Sequence, residues 1–252
     1  HSDKAQYAYE KVLELSGIDK KIQASAYGNL GILYLNHGDL DKAEEFTLKA
    51  LDINNSLGRQ KGMASAYGNL GNIYLANGNL NNAEGFYDDA EEFYDDAEKL
   101  FLKALAIDEN LGRQKGMANA YGSLAIIYKK RDKINKAEEY YLKALEIYKN
   151  LGRRESMGRV YANLGIIYKT DGQLDKAEEY YMQSLGIAEK LGWKKGMANA
   201  YVSLGLLYRT RGDLDKACEH WKKSLQLYTD MGLKSNINKV SRWIAENCNQ
   251  KK

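Results

Sequence analysis

The 252 residues contain no proline, only two cysteines and no apolar run long enough to cross a membrane. Each absence excludes something. Without proline, helix ends must be made by other residues. A spanning helix needs about 20 apolar residues, so no membrane partner is expected. Cys218 and Cys248 are too few for a disulfide framework and read as two reduced thiols of a cytoplasmic protein. Neither sign of charge dominates: 37 basic and 34 acidic residues leave a net charge of +3, too small to point to nucleic acid. No G-x-x-x-x-G-K-[ST] phosphate loop and no G-x-S-x-G elbow occurs. His1, His37 and His220 do not pair at ligand spacing, and solvated turn or helix positions account for them. Cys218 and His220 lie two apart, on different faces of a helix. The sequence therefore offers no catalytic residue, metal site or cofactor motif, and the chain is not read as an enzyme.

What is present is self-similarity, the property that decides a fold before any other. Ala26-Tyr27-Gly28-Asn29-Leu30-Gly31 returns as Ala66-Tyr67-Gly68-Asn69-Leu70-Gly71. It returns again, with substitutions, at Ala120, Val160 and Ala200, so the steps are 40, 54, 40 and 40 residues. Met63, Met117, Met157 and Met197 each stand four residues before the marker tyrosine. Ala43, Ala83, Ala137, Ala177 and Ala217 keep the same step. Within one repeat, Met157, Val160, Tyr161, Leu164 and Tyr168 form one helical stripe. Asp171-Gly172-Gln173 breaks it, and Ala177, Tyr180, Tyr181, Leu185 and Ala188 form a second. Leu191-Gly192 closes that helix with a glycine able to take the left-handed cap. Two helices with two apolar faces cannot bury both alone, so stacked neighbours must bury them, as in a solenoid.

The spacing Tyr161-x-x-Leu164-Gly165-x-x-Tyr168, followed by Ala177, Tyr181 and Ser184, resembles the tetratricopeptide repeat. The resemblance covers about residues 21 to 231 and recurs five times. It implies an all-α, right-handed superhelical solenoid of antiparallel helix pairs. The 40-residue period and the missing terminal proline resemble the long-repeat branch found in cell-polarity adaptors of the LGN/Pins type and in bacterial signalling proteins. The expected layout is a second helix of a truncated repeat at 1–20, then repeats at 21–60, 61–114, 115–154, 155–194 and 195–234. A capping helix follows at 235–252, with Ile237, Val240 and Ile244 facing the last repeat. The opening His1-Ser2-Asp3-Lys4-Ala5 falls mid-repeat and has no methionine, which reads as a segment of a longer protein.

The resemblance also implies a concave groove lined by first helices. The position before each Leu-Gly pair holds Asn29, Asn69, Ser123, Asn163 and Ser203, an asparagine-ladder arrangement that can bond the backbone of an extended peptide. Asparagine is disfavoured inside helices, so its recurrence on one face points to binding, although capping or bridging of neighbouring helices is the bland alternative. Leu35 and Leu75 give way at equivalent places to Lys129, Lys169 and Arg209, with Arg159 nearby. The groove should thus turn from apolar to basic and suit a partner with an acidic stretch. Trp193, in an inter-repeat turn, is either an exposed anchor or a cover for its neighbour. Trp243 takes the ladder position in the last helix and would close the groove.

The 54-residue step carries 14 extra residues at about 83–96, a heptad copied as Ala83-Glu84-Gly85-Phe86-Tyr87-Asp88-Asp89 and Ala90-Glu91-Glu92-Phe93-Tyr94-Asp95-Asp96. The reading preferred is one long second helix that shifts later repeats along its axis; a break near Gly85 or the Asp pairs, with the extra heptads bulging outward, is the alternative. Phe86, Tyr87, Phe93 and Tyr94 are candidates for self-association, and the acids could meet the basic half of a second copy. Carboxylates strung along a helix do not converge on calcium. Three functions follow. The first is a scaffold holding a protein partner's extended peptide or helix. The others are a homo-oligomerising or domain-swapping module, and a regulatory domain of a larger signalling enzyme such as a kinase or protease.

Overall fold

The computed structural model describes residues 2–15, 17–84 and 87–248, without the side chains of residues 2, 3, 83, 84, 87 and 88. Its helices are α1 (Ser2–Glu14), α2 (Lys20–His37), α3 (Leu40–Ser56), α4 (Gln60–Glu84), α5 (Tyr87–Asn110) and α6 (Gln114–Lys130). They continue as α7 (Ile134–Asn150), α8 (Arg154–Thr170), α9 (Leu174–Lys190), α10 (Lys194–Thr210), α11 (Leu214–Asp230) and α12 (Lys234–Asn247). No strand occurs among the described residues. The helices form two compact units, His1–Arg131 and Asp132–Lys252. In the first, α2 packs on α3 and α4 on α5, with α4 and α6 against the preceding pairs; in the second, α8 packs on α9, α10 on α11, and α12 on α11.

In the α4/α5, α8/α9 and α10/α11 pairs a glycine on the first helix lies under a large ring on the second, and in α2/α3 Gly31 lies against Thr47. A Cβ on Gly165 would stand 2.5 Å from the Tyr181 ring, and one on Gly205 would stand 2.3 Å from Trp221. The helices approach this closely only because nothing projects from the glycine. The turns between helices use glycine differently. Gly112 takes φ 62°, and the next N–H, of Arg113, reaches back 2.8 Å to the Asp108 carbonyl, closing the helix end. Asp132 occupies the turn place of Gly172 and Gly212 at φ 55°, a left-handed conformation that a side chain makes less favourable.

The insertion is not one long second helix. It lengthens both arms of its pair: α4 has 25 residues and α5 has 24, where α6 to α11 have 17 each. The packing contacts show how. Gly165 faces Tyr181 and Gly205 faces Trp221, 16 positions apart in each case (181 − 165; 221 − 205). In the long pair Gly71 faces Phe101, 30 apart (101 − 71), and Gly78 faces Tyr94, again 16 apart (94 − 78). The ordinary geometry recurs one heptad further out. Seven residues turn a helix by about 700°, close to two full turns, so each arm keeps its face. Because both arms grow, the base of the pair stays in place and α6 still packs against α4 and α5. The axial shift expected of one long second helix does not arise at α6, the next helix of this unit. Gly78 aligns with the turn glycine Gly38, but it is not among the positive-φ residues; it stays helical beneath Tyr94.

Neighbouring pairs are joined by a recurring rung. Tyr74 donates to Glu44 at 2.6 Å, and Tyr128, Tyr168 and Tyr208 donate to Glu98, Glu138 and Glu178. Every rung spans 30 residues. Arg211 adds ion pairs to Glu178 and, at 2.5 Å, Asp175. Arg131 binds Glu91, Asp95 and Glu98, so acids of the insertion are held within their own unit, by Arg131.

The two cysteines are not reduced thiols. Cys218 and Cys248 form a disulfide, also with a separation of 30 residues. They occupy the glutamate and tyrosine places of the next rung (178 + 40; 208 + 40), so α11 and α12 are joined covalently where other pairs use a hydrogen bond.

Burial raises the Glu178 carboxyl, but hydrogen bonds from Tyr208 and Arg211 outweigh it and hold the group below the ordinary glutamate range. The bond to Glu178, reinforced by burial, pushes Tyr208 up to about 12, and Glu44 does the same to Tyr74. The lowered glutamate stabilises the fold above about pH 4.3 and stops doing so as pH falls. The raised tyrosines stabilise it below about pH 10, and that contribution disappears as pH rises through about 12. Tyr208→Phe should therefore cost about 1 kcal/mol at neutral pH and weaken the alkaline fall in the urea midpoint; an unchanged alkaline limb would speak against the rung.

Tyr94→Ala should cost about 3 kcal/mol or more, since the ring is 2% exposed under Gly78. Tyr7→Ala, at a ring 63% exposed, should cost less than about 0.5 kcal/mol in the same denaturation experiment.

Candidate functional site

In the first unit the faces of α4 and α6 open onto a cleft of about 690 Å³. Asn69 and Ser123, two members of the polar row, line it together with Ser65, Asn72 and Asn119. Gly68 also lines it, and a Cβ there would meet nothing within 4 Å, so the backbone is open to a ligand at that point. Asn29, on α2, is exposed outside this lining. In the second unit Asn163 on α8 and Ser203 on α10 are half-buried at the equivalent places. Sequence reasoning named one polar residue per repeat, three of them amides, and overlooked Asn72 and Asn119. Their signal was available, since each lies three or four positions from a named residue and shares its face.

The apolar residues expected in the N-terminal groove are not Leu35 and Leu75; Ile32 and Phe101 line the cleft in their place. Leu75 is buried and Leu35 packs into the core beside Leu30 and Leu70, so neither supplies the cleft. The cleft also carries cations: Lys61, Arg113 and Lys115. Arg113 is held in place. Its Nη1 donates to the Lys61 carbonyl at 3.2 Å and stands 2.8 Å from Asp108 Oδ1, an ion pair without hydrogen-bond alignment. Asp108 packs against Gly116, where a Cβ would be 1.8 Å from Oδ2. Burial raises its carboxyl while Arg113 opposes the rise.

The other basic candidates differ in setting. Lys129 is half-buried, and burial, then Lys130, lowers its ammonium group. It belongs to the first unit; Arg159, Lys169 and Arg209 belong to the second. Arg159 pairs with Glu155 at 2.6 Å and lies over the Trp193 ring at 5.3 Å. Trp193 is a cover: its ring fills the space under Gly196, where a Cβ would be 2.2 Å away, and lies 3.7 Å from a Cβ on Gly158. Arg209 lies over Trp221 at 5.8 Å, and Trp243 on α12 tilts against the same ring at 5.7 Å. His220 is half-buried rather than solvated, stacked between Tyr201 and Tyr208 at 5.8 and 5.3 Å.

Of the self-association candidates, Tyr94 is buried and bonds Asn79 at 3.2 Å. Phe93 is half-buried and tilted against Tyr74 at 6.1 Å. Phe86 and the side chain of Tyr87 lie outside the described residues.

Stacked helix pairs, with first helices presenting a polar row, define a helical-repeat solenoid. Sequence profiles of the tetratricopeptide repeat match residues 23–95, 90–150, 116–190 and 197–230, and the chain belongs to that family. The family fold is in general a non-catalytic protein-interaction scaffold. No curated protein sequence matches the chain. Solved structures share the fold. BtubC (BKLC) from P. vanneervenii is 22% identical with a TM-score of 0.69, over 92% of this chain and 89% of that one. A putative kinesin light chain with nearly identical TPR-like repeats, from Podosopora anserina, is 18% identical with a TM-score of 0.62, over 84% and 98%. The apo form of RapI is 16% identical with a TM-score of 0.65, over 97% and 89%.

Arg113→Ala should destabilise the fold by about 2 kcal/mol, because Asp108 is then buried without its cation. Adding Asp108→Asn should recover most of that loss in urea denaturation; no recovery would show that the arginine acts through packing instead.

Proposed function

We propose that this chain is a scaffold that holds an extended segment of a partner protein against its first-helix faces. The observation that carries the reading is the first-unit cleft, where Asn69, Asn72, Asn119 and Ser123 converge beside the bare backbone at Gly68. Side-chain amides donate and accept at once, which suits a peptide backbone whose N–H and C=O alternate. Asn29 extends the row in the same unit, and Asn163 and Ser203 repeat it in the second.

The charges favour an acidic stretch in that segment. Lys61, Arg113 and Lys115 border the first cleft, and only Asp108, already paired with Arg113, opposes them there. Lys129 is held at a place where burial disfavours its charge, so an approaching carboxylate would relieve it. In the second unit Lys169 and Arg209 take the equivalent places, with Arg159 on the same series of helices. The partner is a protein or peptide; neither nucleic acid nor membrane enters the proposal, and no cofactor is invoked.

A fluorescein-labelled, glutamate-rich extended peptide tests this by anisotropy. Asn69→Ala and Asn163→Ala should each weaken binding about fivefold, the equivalent of one ordinary hydrogen bond. Affinity should also fall about tenfold between low and physiological salt. Binding indifferent to salt would remove the acidic partner, and binding indifferent to both asparagines would remove the polar row.

A further inference from the structure

We infer that the Cys218–Cys248 bond is a thiol–disulfide exchange site that latches α12 onto the last complete repeat. The first support is its place in the fold. Four junctions between successive pairs are closed by a tyrosine donating to a glutamate 30 residues earlier. At the fifth, the same two positions are cysteines joined to each other. A rung that solvent can exchange freely is thus replaced by one that only a redox reaction opens.

The second support is how little else holds α12. Helices α8 and α10, which occupy the same place in their repeats, bury six and seven residues. Helix α12 buries only Val240. Its other contacts with α11 include the tilted contact of Trp243 with Trp221 and a hydrogen bond between Tyr228 and Asn236, and Ile237 and Ile244 are only half-buried. With less apolar surface buried than its equivalents, α12 depends on the covalent bond more than they depend on their rungs.

The third support is access. Cys218 is buried, whereas Cys248 is half-buried at the C-cap of α12. Cys248 is thus the more exposed residue of the two, and the side from which a dithiol reductant would attack. The reductant's thiolate attacks Cys248 Sγ, the S–S bond breaks, and the electron pair leaves on Cys218, which takes a proton. The second thiol of the reductant then displaces Cys248 as a thiol. Two electrons and two protons pass to the chain, and the reductant becomes a cyclic disulfide.

What the latch controls follows from what α12 carries. Lys239, Arg242 and Trp243, with Asn238, border an open cleft of about 410 Å³. Trp243 stands at the place that Asn163 and Ser203 hold in earlier repeats. Releasing α12 removes this end of the second unit's first-helix face and uncovers Trp221, which is fully buried while α12 is docked. This consequence rests on the scaffold reading; the latch itself does not.

Hydrogen exchange read by mass spectrometry on the full chain, with and without dithiothreitol, tests the latch. Reduction should add two mass units, make two thiols alkylatable and speed exchange in residues 234–248 at least about tenfold, leaving α8 and α9 unchanged. The Cys218→Ser/Cys248→Ser chain should exchange as the reduced protein does and ignore dithiothreitol. If that variant does not fold, the reductant arm on the natural chain decides. Two free thiols in air-purified protein would overturn the proposal, as would a confirmed disulfide whose reduction leaves α12 protected. The labelled peptide is added to both states. If α12 opens on reduction and the peptide binds neither state, the latch stands and the scaffold reading falls.

Discussion

Everything in this chain depends on how closely the two helices of a pair can approach. Gly165 under Tyr181, Gly205 under Trp221, Gly71 under Phe101 and Gly78 under Tyr94 are one interaction repeated. The missing side chain lets an aromatic ring lie on the backbone of the facing helix, where it makes dozens of small dispersion contacts. The ring cannot move inward without clashing or outward without leaving a void, so the contact fixes the pairing of the two helices. The turn follows from that pairing and does not cause it.

The long pair shows the order of causes. A glycine in an Asn-Gly-Asn setting reads as a turn when neighbouring repeats turn at the same place. At position 78 the glycine has a better use, because Tyr94 requires a bare backbone beneath it. The copied heptad supplies the ring at 94 that Gly78 faces, while Gly71 and Phe101 of the flanking repeat make the second contact. The insertion extends the scaffold without interrupting it, because a heptad nearly preserves helical phase and is used once in each arm.

The junctions between pairs follow a second rule with a fixed span. Glutamate and tyrosine 30 residues apart meet on facing helices, and an arginine further on gathers the acids at two of these junctions. The disulfide obeys the same span. Its two cysteines were readable in register with the glutamates and tyrosines, yet a count of two argued for free thiols. The count was the wrong evidence, because proximity is set by the repeat and not by the number of cysteines.

The sequence by itself determined the architecture. A 40-residue step, a helical stripe on each half and glycine at most helix ends leave no other way to bury the apolar faces than by stacking pairs. It also determined the face that carries Asn69 and Ser123, since helical phase is local. What it could not determine was which of several chemically adequate partners each residue meets. Whether Gly78 turns or packs, whether Asp95 faces solvent or Arg131, and whether Cys218 finds Cys248 depend on contacts between helices far apart in the chain. Those contacts are chosen by the packing of whole pairs, where moving one ring disturbs its neighbours, and only the tertiary structure decides them.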